Sequence, residues 1–226
     1  NRIKGTGQNW STQGVIASNG SLDLTLGGTL NNTGRLTAAT DFSLASAALN
    51  NLGTLGSGRT MTLTTGSLLN QNGLLFSGGD MSLRVDRLKN LAADIYAMGN
   101  LSIDRDGKGA FATSIINSSS SIQSDGNLSL AAGTIQNIRT VLTSESGIYS
   151  ASISPVQCIE NVNGGDCDGG KENRPFLIAQ RDRLRVTDAS AASSITSGAN
   201  LLLVGGDVLN SSSSIAAAGS LTARVN

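Results

Sequence analysis

The sequence predicts an all-β fold, a right-handed parallel β-helix (a solenoid) of about nine coils with repeats of about 20 residues and one large inserted loop. Three observations lead to this prediction. Apolar residues recur at a fixed long period, and short stretches alternate apolar and polar residues as strands do. Aromatic residues make up only 3% of the chain, which suits a slim core of Leu, Ile, Val and Ala.

The clearest repeat is an Ile or Leu, then a Leu, Met or Phe six residues later, and a further apolar residue two positions on. We call the middle residue the marker position. It falls at Leu22, Phe42, Met61, Met81, Leu101, Leu128, Leu184, Leu201 and Leu221. The successive spacings are 20, 19, 20, 20, 27, 56, 17 and 20 residues, so a period near 20 dominates.

Two further markers keep the same period. A Leu or Ile is followed closely by asparagine, at Asn31, Asn50, Asn70, Asn90, Asn117, Asn137 and Asn210. We expect these amides to form a ladder inside the solenoid, each bonding to the next coil. Glycine recurs at Gly14, Gly34, Gly53 and Gly73. We expect these glycines to supply positive φ at the corners of the coils.

The segment from Ile16 to Leu26 illustrates one coil. Leu22, Leu24 and Leu26 fall on one side of a strand, and the polar residues between them fall on the other. Three strands of about five residues with their turns account for about 20 residues, and coils stack at roughly 4.8 Å. A leucine-rich repeat is the competing solenoid, but the chain does not keep the fixed leucine frame which that repeat requires.

Two spacings are too long for a plain coil. The 27-residue spacing predicts about seven extra residues within 104–112. The 56-residue spacing predicts about 36 extra residues, at 140–176. We therefore divide the chain into coils at 1–139, an irregular insertion at 140–176 and further coils at 177–226. Insertions project from one face of a solenoid and often carry recognition.

The insertion concentrates unusual residues. Cys158 and Cys167 lie nine residues apart, which favours a local disulfide, although two free thiols remain possible. The candidate receptor-binding residues are Tyr149, Asp166, Asp168, Lys171, Glu172, Arg174 and Phe176. The alternatives are a decorative loop or an interface with another part of a filament. Neither a metal nor a cofactor is expected, because the chain has no histidine and its acidic residues lack the spacing of a calcium loop.

Charge and residue types disfavour two classes of function. Sixteen basic residues balance sixteen acidic ones, so nucleic acid is not an expected partner. The run from Arg181 to Arg185 is interpreted as a solvated strand face. No enzymatic activity is expected: Asp80, Asp86 and Asp94 fall at different phases of the repeat, and a catalytic triad would need histidine.

The repeats resemble those of filamentous haemagglutinins. The resemblance rests on Gly14-Val-Ile-Ala-Ser-Asn-Gly20-Ser-Leu22-Asp-Leu24 through Leu30-Asn-Asn-Thr-Gly34, and again around Gly73 and Gly99. It covers most of residues 14–139 and resumes at about Ile178. Because the last residues lie within a repeat, we expect the chain to be part of a longer protein.

The resemblance implies a large exoprotein of a two-partner secretion system in a Gram-negative bacterium. Such a protein is secreted through an outer-membrane transporter partner and stays on the cell surface as an outer-membrane-attached filament. Within this group, coils interrupted by an irregular segment are similar to the CdiA proteins of contact-dependent growth inhibition. That resemblance implies recognition of an outer-membrane receptor, protein or lipopolysaccharide, on a neighbouring cell before a toxin is delivered. A structural shaft of a filamentous adhesin and a virulence adhesin for host glycans or cells are the alternatives.

Overall fold

The computed structural model describes residues 2–155 and 176–225, and all regular secondary structure in these residues is β. No helix capable of crossing a membrane is found in this part of the chain. The chain forms two compact units. One consists of residues 1–140 and 190–226, and the other of residues 141–189.

The first eleven strands are β1 (Arg2–Gly7), β2 (Trp10–Thr12), β3 (Val15–Ser18), β4 (Ser21–Leu26), β5 (Thr29–Asn32), β6 (Arg35–Ala38), β7 (Phe42–Asn51), β8 (Thr54–Ser57), β9 (Met61–Gln71), β10 (Leu74–Ser77) and β11 (Met81–Leu91). The others are β12 (Asp94–Ala97), β13 (Leu101–Asp104), β14 (Ala112–Ser118), β15 (Ser121–Ser124), β16 (Leu128–Ile138), β17 (Leu142–Pro155), β18 (Phe176–Ala189), β19 (Ser194–Ser197), β20 (Leu201–Ser211), β21 (Ser214–Ala217) and β22 (Leu221–Val225).

In the larger unit every strand pairs in parallel with its equivalent in the neighbouring coils. A 12-stranded sheet follows the order β1-β4-β7-β9-β11-β13-β16-β20-β22, with β2, β5 and β14 completing its rungs. An 8-stranded sheet follows the order β21-β19-β15-β12-β10-β8-β6-β3. Each parallel crossover is one turn of the solenoid, and the predicted right-handed parallel β-helix is confirmed.

Each coil has three faces, and the first two share the larger sheet. In the coil that begins at Ser21, β4 forms the first face, β5 the second and β6 the third. In most later coils the first two faces form one long strand. The pairing of β9 with β11 skips one residue at Asp86, which marks the first corner. We call the turn after the second face the second corner and the turn after the third face the third corner.

The marker position forms one continuous column inside the first face. The strand registers place Leu22, Phe42, Met61, Met81, Leu101, Leu128, Leu201 and Leu221 side by side in successive coils. All of them except the terminal Leu221 are buried. Each buried large side chain stabilises the fold by about 1.5–3 kcal/mol, but only once its neighbouring coils have stacked on it.

The asparagine ladder is confirmed, with a correction at two coils. Its members are Asn32, Asn51, Asn70, Asn90, Asn117, Asn137 and Asn210. Each Nδ2 except that of the last member donates to the next Oδ1 at 2.7–2.9 Å. Asn31 and Asn50, which the sequence suggested, are instead one residue earlier and form a separate pair at 2.8 Å. Because side chains alternate along a strand, only the second asparagine of each Asn-Asn pair points inward.

The expected role of the recurrent glycines is wrong. Positive φ is found in the described glycines only at Gly107 and Gly109, and not at any of the four recurrent positions. Gly34 and Gly53 are needed for another reason. A Cβ on Gly34 would lie 2.0 Å from the carbonyl oxygen of Gly14, and a Cβ on Gly53 would lie 2.1 Å from that of Gly34. Glycine therefore permits the close stacking of backbone at the second corner.

The second corner has a different form in several other coils. There the residue two positions after the ladder asparagine takes a φ of 46–51°, as in Asn72, Ala92, Ser119 and Ser212. The next residue is then small but need not be glycine, as Ala93 and Ser120 show. Serines complete this corner: Ser193 Oγ donates to the carbonyl of Ile138 at 2.7 Å.

The inserted segment is longer than the sequence indicated. The coil of Leu128 is interrupted after Thr140 and resumes at Ser190, and residues 177–189 belong to the insertion, not to a coil. β18 pairs with β17 in antiparallel orientation. Leu184 is consequently not a marker residue, and its side chain is 72% exposed. Its alternating apolar pattern is that of any amphipathic strand, so the sequence could not distinguish the two arrangements.

Candidate functional site

The inserted unit is a two-stranded antiparallel ribbon, which we call the hairpin. β17 and β18 pair from Leu142 with Ala189 to Pro155 with Phe176. The register shifts twice, at Thr143–Ser144 and at Ile148–Ser150, and the second shift leaves Tyr149 as an extra, bulged residue. Bulges of this kind re-aim a side chain and often lie beside functional sites.

One side of the hairpin is apolar. Directly paired residues share a side of an antiparallel ribbon, and so do alternate residues along each strand. These two rules place five large aliphatic residues together, which we name the apolar face: Ile148, Ile153, Ile178, Leu184 and Val186. They are 56–72% exposed. Gln180 and Asp182 project from the same side, between Leu184 and Ile178. Isolated apolar residues at a surface are ordinary, but five large ones on one side of a two-stranded ribbon are typical of an interaction site.

The other side carries most of the charge. It holds Glu145, Tyr149, Arg181, Arg183 and Arg185, which we name the charged face. Asp188, which pairs with Thr143, falls on the same side at the Leu142 end of the hairpin. Arg185 donates to Glu145 Oε1 from Nη2 at 2.7 Å and from Nε at 3.1 Å. The Arg183 guanidinium lies over the Tyr149 ring, 5.4 Å from its centroid. The run from Arg181 to Arg185, which was interpreted as a solvated strand face, lies in an exposed strand. Its three arginines project from one side of the strand, and Asp182 projects from the other.

The predicted receptor-binding residues are described only in part. Tyr149 lies on the charged face, and Phe176 begins β18 opposite Pro155. Asp166, Asp168, Lys171, Glu172 and Arg174 lie outside the described residues, as do Cys158 and Cys167. The arginines of β18 were not among the predicted residues. The three arginines occupy alternate positions along the strand. This spacing could have shown from the sequence that they lie on one side of it.

The smaller insertion, at 104–112, is a hydrogen-bonded loop at the first corner. The buried Asp104 accepts backbone hydrogen bonds from the amides of Asp106, Gly107 and Gly109. Asp106 Oδ1 accepts from the amides of Lys108 at 2.8 Å and Ala110 at 3.1 Å. These backbone hydrogen bonds lower the pKa of Asp106. The loop is thus stabilised internally by two carboxylates.

We expect the Asp106 carboxyl to titrate below 3.8, its ordinary value. A depressed folded-state pKa means that its stabilising contribution is complete above the unfolded value and is lost as the pH falls through the folded value. A carbon-detected NMR titration of the side-chain carboxyl checks the pKa. A midpoint at or above 3.8 would contradict the hydrogen-bonded geometry, and Asp106→Asn removes the titration altogether.

The three carboxylates considered for catalysis lie apart. Asp80 accepts from Asn100 Nδ2 at the third corner, Asp86 from Thr113 at the first, and Asp94 from Ser121 on the third face. Among the described residues no group of three His, Cys, Asp or Glu side chains could hold a metal ion. Each of these carboxylates thus joins neighbouring coils.

An outer row of polar side chains at the third corner was not predicted. Each Oδ1 accepts from the backbone amide one coil further on, at 2.7–3.4 Å. The row contains Asp41, Asp80, Asn100, Asn127 and Asn200. Every member immediately precedes a marker residue, and this position in the repeat could have identified the row from the sequence. A shallow groove of about 530 Å³ runs along four successive coils, from Met61 to Ser129, and contains three members of the row, Asp80, Asn100 and Asn127.

The third face carries the other notable surface group. The rings of Phe76 and Tyr96 pack with their centroids 5.8 Å apart. The hydroxyl of Tyr96 donates to Asp125 Oδ2 at 2.6 Å, and this hydrogen bond raises the pKa of Tyr96. In the preceding coil Gly56 leaves a groove of about 290 Å³ beside Phe76. Aromatic rings beside such a groove are the usual partners of apolar sugar faces.

Comparisons with known proteins agree with the solenoid architecture. The haemagglutinin repeat family model matches four stretches, at residues 2–52, 45–107, 96–154 and 179–226. Neither the curated proteins nor the solved structures contain a significant match. Proteins with these repeats are typically secreted surface filaments of structural or adhesin type. Because the four matches cover nearly all of the sequence, the chain belongs to the haemagglutinin repeat family.

Proposed function

We propose that this chain is a receptor-binding segment of a contact-dependent growth inhibition exoprotein. In this proposal the β-helix is the shaft, and the hairpin with its connecting residues contacts an outer-membrane receptor on a neighbouring Gram-negative cell before toxin delivery. The full-length protein would reach the surface through an outer-membrane transporter partner.

The apolar face is the observation that carries the proposal. The shaft buries most of its large aliphatic residues in a continuous core and exposes a few singly, whereas the hairpin exposes five of them on one side. A two-stranded ribbon is marginally stable in water, because it can cover neither of its sides. Burying this face against a receptor would remove apolar surface from water, the main source of affinity in most protein complexes.

The location of the insertion also supports recognition. It leaves the solenoid at the second corner, where four other coils turn tightly through a residue with positive φ. The coil then continues in register on both sides: β16 pairs with β20, and β15 with β19. The shaft therefore accommodates the insertion with no break in its stacking, as a scaffold for an added element would.

Deletion of the insertion tests the proposal directly. The variant lacks residues 140–192 and carries Arg139→Asn, so that Ile138, the new asparagine, Ser193 and Ser194 reproduce the corner formed by Ser118 to Ser121. Asparagine tolerates positive φ at this position. We expect the variant to keep the β-rich circular dichroism spectrum and to lose at least about tenfold in binding to Gram-negative cells, measured by flow cytometry.

Arg139→Asn alone is the matched control and should bind like the unaltered chain. Equal binding of the deletion variant and the control would contradict the proposal and place recognition on the coils. The pair of Phe76 and Tyr96 would then be the first surface to examine, because it favours the alternative of glycan adhesion. If neither protein bound any bacterium, a purely structural shaft would be the better interpretation.

A further inference from the structure

The charged face of the hairpin has an excess of positive charge that the sequence conceals. Arg181, Arg183 and Arg185 are interleaved with Asp182 and Leu184 in the sequence. In the strand all three guanidinium groups project from one side, and Asp182 projects from the other. Asp182 accepts instead from Gln180 Nε2 at 2.8 Å. The formal charge of the whole chain is zero, so this concentration is local.

Among residues 2–155 and 176–225, an ion pair neutralises one of the three arginines. Glu145 accepts both hydrogen bonds from Arg185. Arg183 stacks on Tyr149, which leaves the edges of its guanidinium available for hydrogen bonding. In residues 2–155 and 176–225, neither Arg181 nor Arg183 forms an ion pair. The guanidinium groups of Arg181 and Arg183 therefore lie on one side of the strand without an anionic partner in the described part of the chain.

The backbone leaves room for a ligand beside Arg183. Arg183 pairs with Gly147, above which a side chain would meet no atom within 4 Å. The resulting hollow has a volume of about 400 Å³ and is bordered by Glu145, Tyr149, Arg183 and Arg185. Arg181 lies beyond this hollow, on the other side of Arg183 along β18. Arg181 pairs with Ser150, whose hydroxyl is a further donor on the same side.

We propose that the charged face binds a phosphate monoester, held between Arg181 and Arg183 beside the Tyr149 ring. Alternate residues on one side of a strand are about 7 Å apart, so one group can meet both side chains. A carboxylate has two oxygens, which a single arginine fork satisfies. A phosphate monoester carries about −1.5 to −2 charge and three acceptor oxygens, enough for both forks. This inference rests on the proposed receptor-binding role and names the chemistry that the receptor would present.

The test measures binding of the whole chain to phosphatidylcholine vesicles that contain phosphorylated lipid A, with vesicles of phosphatidylcholine alone as the reference. The variant Arg181→Gln/Arg183→Gln should lose about a hundredfold in affinity, roughly tenfold for each charge-assisted contact. Arg35→Gln/Arg105→Gln, which removes two exposed shaft arginines that form no ion pair with the described residues, is the matched control and should bind normally. Equal loss in both double variants would overturn the inference, since it would indicate general charge attraction.

Arg181→Lys/Arg183→Lys keeps the charge and guards against a folding artefact. It should bind with intermediate affinity, because lysine cannot form the two-pronged contact or stack on Tyr149. If the lysine variant bound as tightly as the unaltered chain, no arginine-specific site would exist. Competition by millimolar inorganic phosphate would identify phosphate alone as sufficient. Vesicle binding that resists this competition but still requires both arginines would assign the site to a lipid headgroup.

A third variant separates this inference from the proposed function. Ile178→Ser/Leu184→Ser alters only the apolar face, and both side chains are already exposed. Binding to cells that depends on the apolar face, with no arginine-dependent binding to phosphorylated vesicles, would sink the phosphate site and leave the receptor-binding role intact. Unchanged cell binding by the deletion variant would refute that role, whatever the vesicles showed.

Discussion

Asn90→Ala should destabilise the solenoid by roughly 3–5 kcal/mol, because it interrupts the internal ladder at its centre. The Asn90 side chain is fully buried. Its Nδ2 donates to Asn117 Oδ1 at 2.9 Å and to the carbonyls of Ser121 at 2.9 Å and Ala93 at 3.1 Å. Alanine would remove the donor from the buried Asn117 Oδ1 and from the Ser121 carbonyl. The Ala93 carbonyl would still accept from the amide of Ser121, and Asn70 Nδ2 would still donate to the carbonyl of Asp94. Urea denaturation followed by circular dichroism measures the loss.

Asn50→Ala is the matched control for the ladder. Asn50 was also predicted from the sequence to belong to the ladder, but in the described part of the chain its Nδ2 donates to Asn31 Oδ1 alone, at 2.8 Å on the half-buried outer side. Its loss should cost less than about 1 kcal/mol, the usual net value of one hydrogen bond. Similar destabilisation by the two substitutions would show that the inner and outer asparagines had been assigned wrongly.

Gly53→Ala should have a comparably large effect, for a purely steric reason. The added Cβ would lie 2.1 Å from the carbonyl oxygen of Gly34, which belongs to the backbone of the neighbouring coil and cannot rotate away. The two coils would have to separate and weaken their parallel hydrogen bonds. We expect a loss of about 3 kcal/mol or more, at the upper end of the cost of overpacking. Thermal and urea denaturation provide the measurement.

Gly14→Ala, at the position equivalent to Gly53, should change the free energy of unfolding in the opposite direction. Gly14 has no atom within 4 Å of the added Cβ, and its φ is not positive. Alanine should therefore be neutral or stabilising by about 0.4–1 kcal/mol, because it restricts the unfolded chain. If the two substitutions were equally harmful, stacking against the next coil would not explain these glycines.

Much of the architecture could be predicted from the sequence, because a solenoid repeats its local environment. Eight of the nine predicted marker residues form one column in the structure, since a coil must place an apolar residue at the same phase to stack on its neighbours. The sites of both insertions followed from the same period. The asparagine ladder was predicted correctly except where Asn31-Asn32 and Asn50-Asn51 offered two neighbouring candidates.

Less of the candidate site could be predicted from the sequence. Its strands, β17 and β18, are joined by the long stretch of sequence between them, and β18 has the same alternation as a strand of a coil. A local pattern cannot state whether such a strand continues a parallel stack or pairs back on its predecessor. Of the predicted binding residues that the structure describes, Tyr149 lies on the charged face, and the arginines beside it were interpreted as a solvated surface.

The sequence by itself determined the solenoid, its period, its core column and the places where it is interrupted, because these depend on phase within one chain. Only the tertiary structure decided which asparagine points inward, why Gly34 and Gly53 are glycine, and how far the insertion extends. It also gathered the arginines of β18 on one side of the hairpin. Each of these features depends on a partner strand or coil that is distant in the sequence. The residues next to a position in the sequence therefore do not indicate which residues will pack against it.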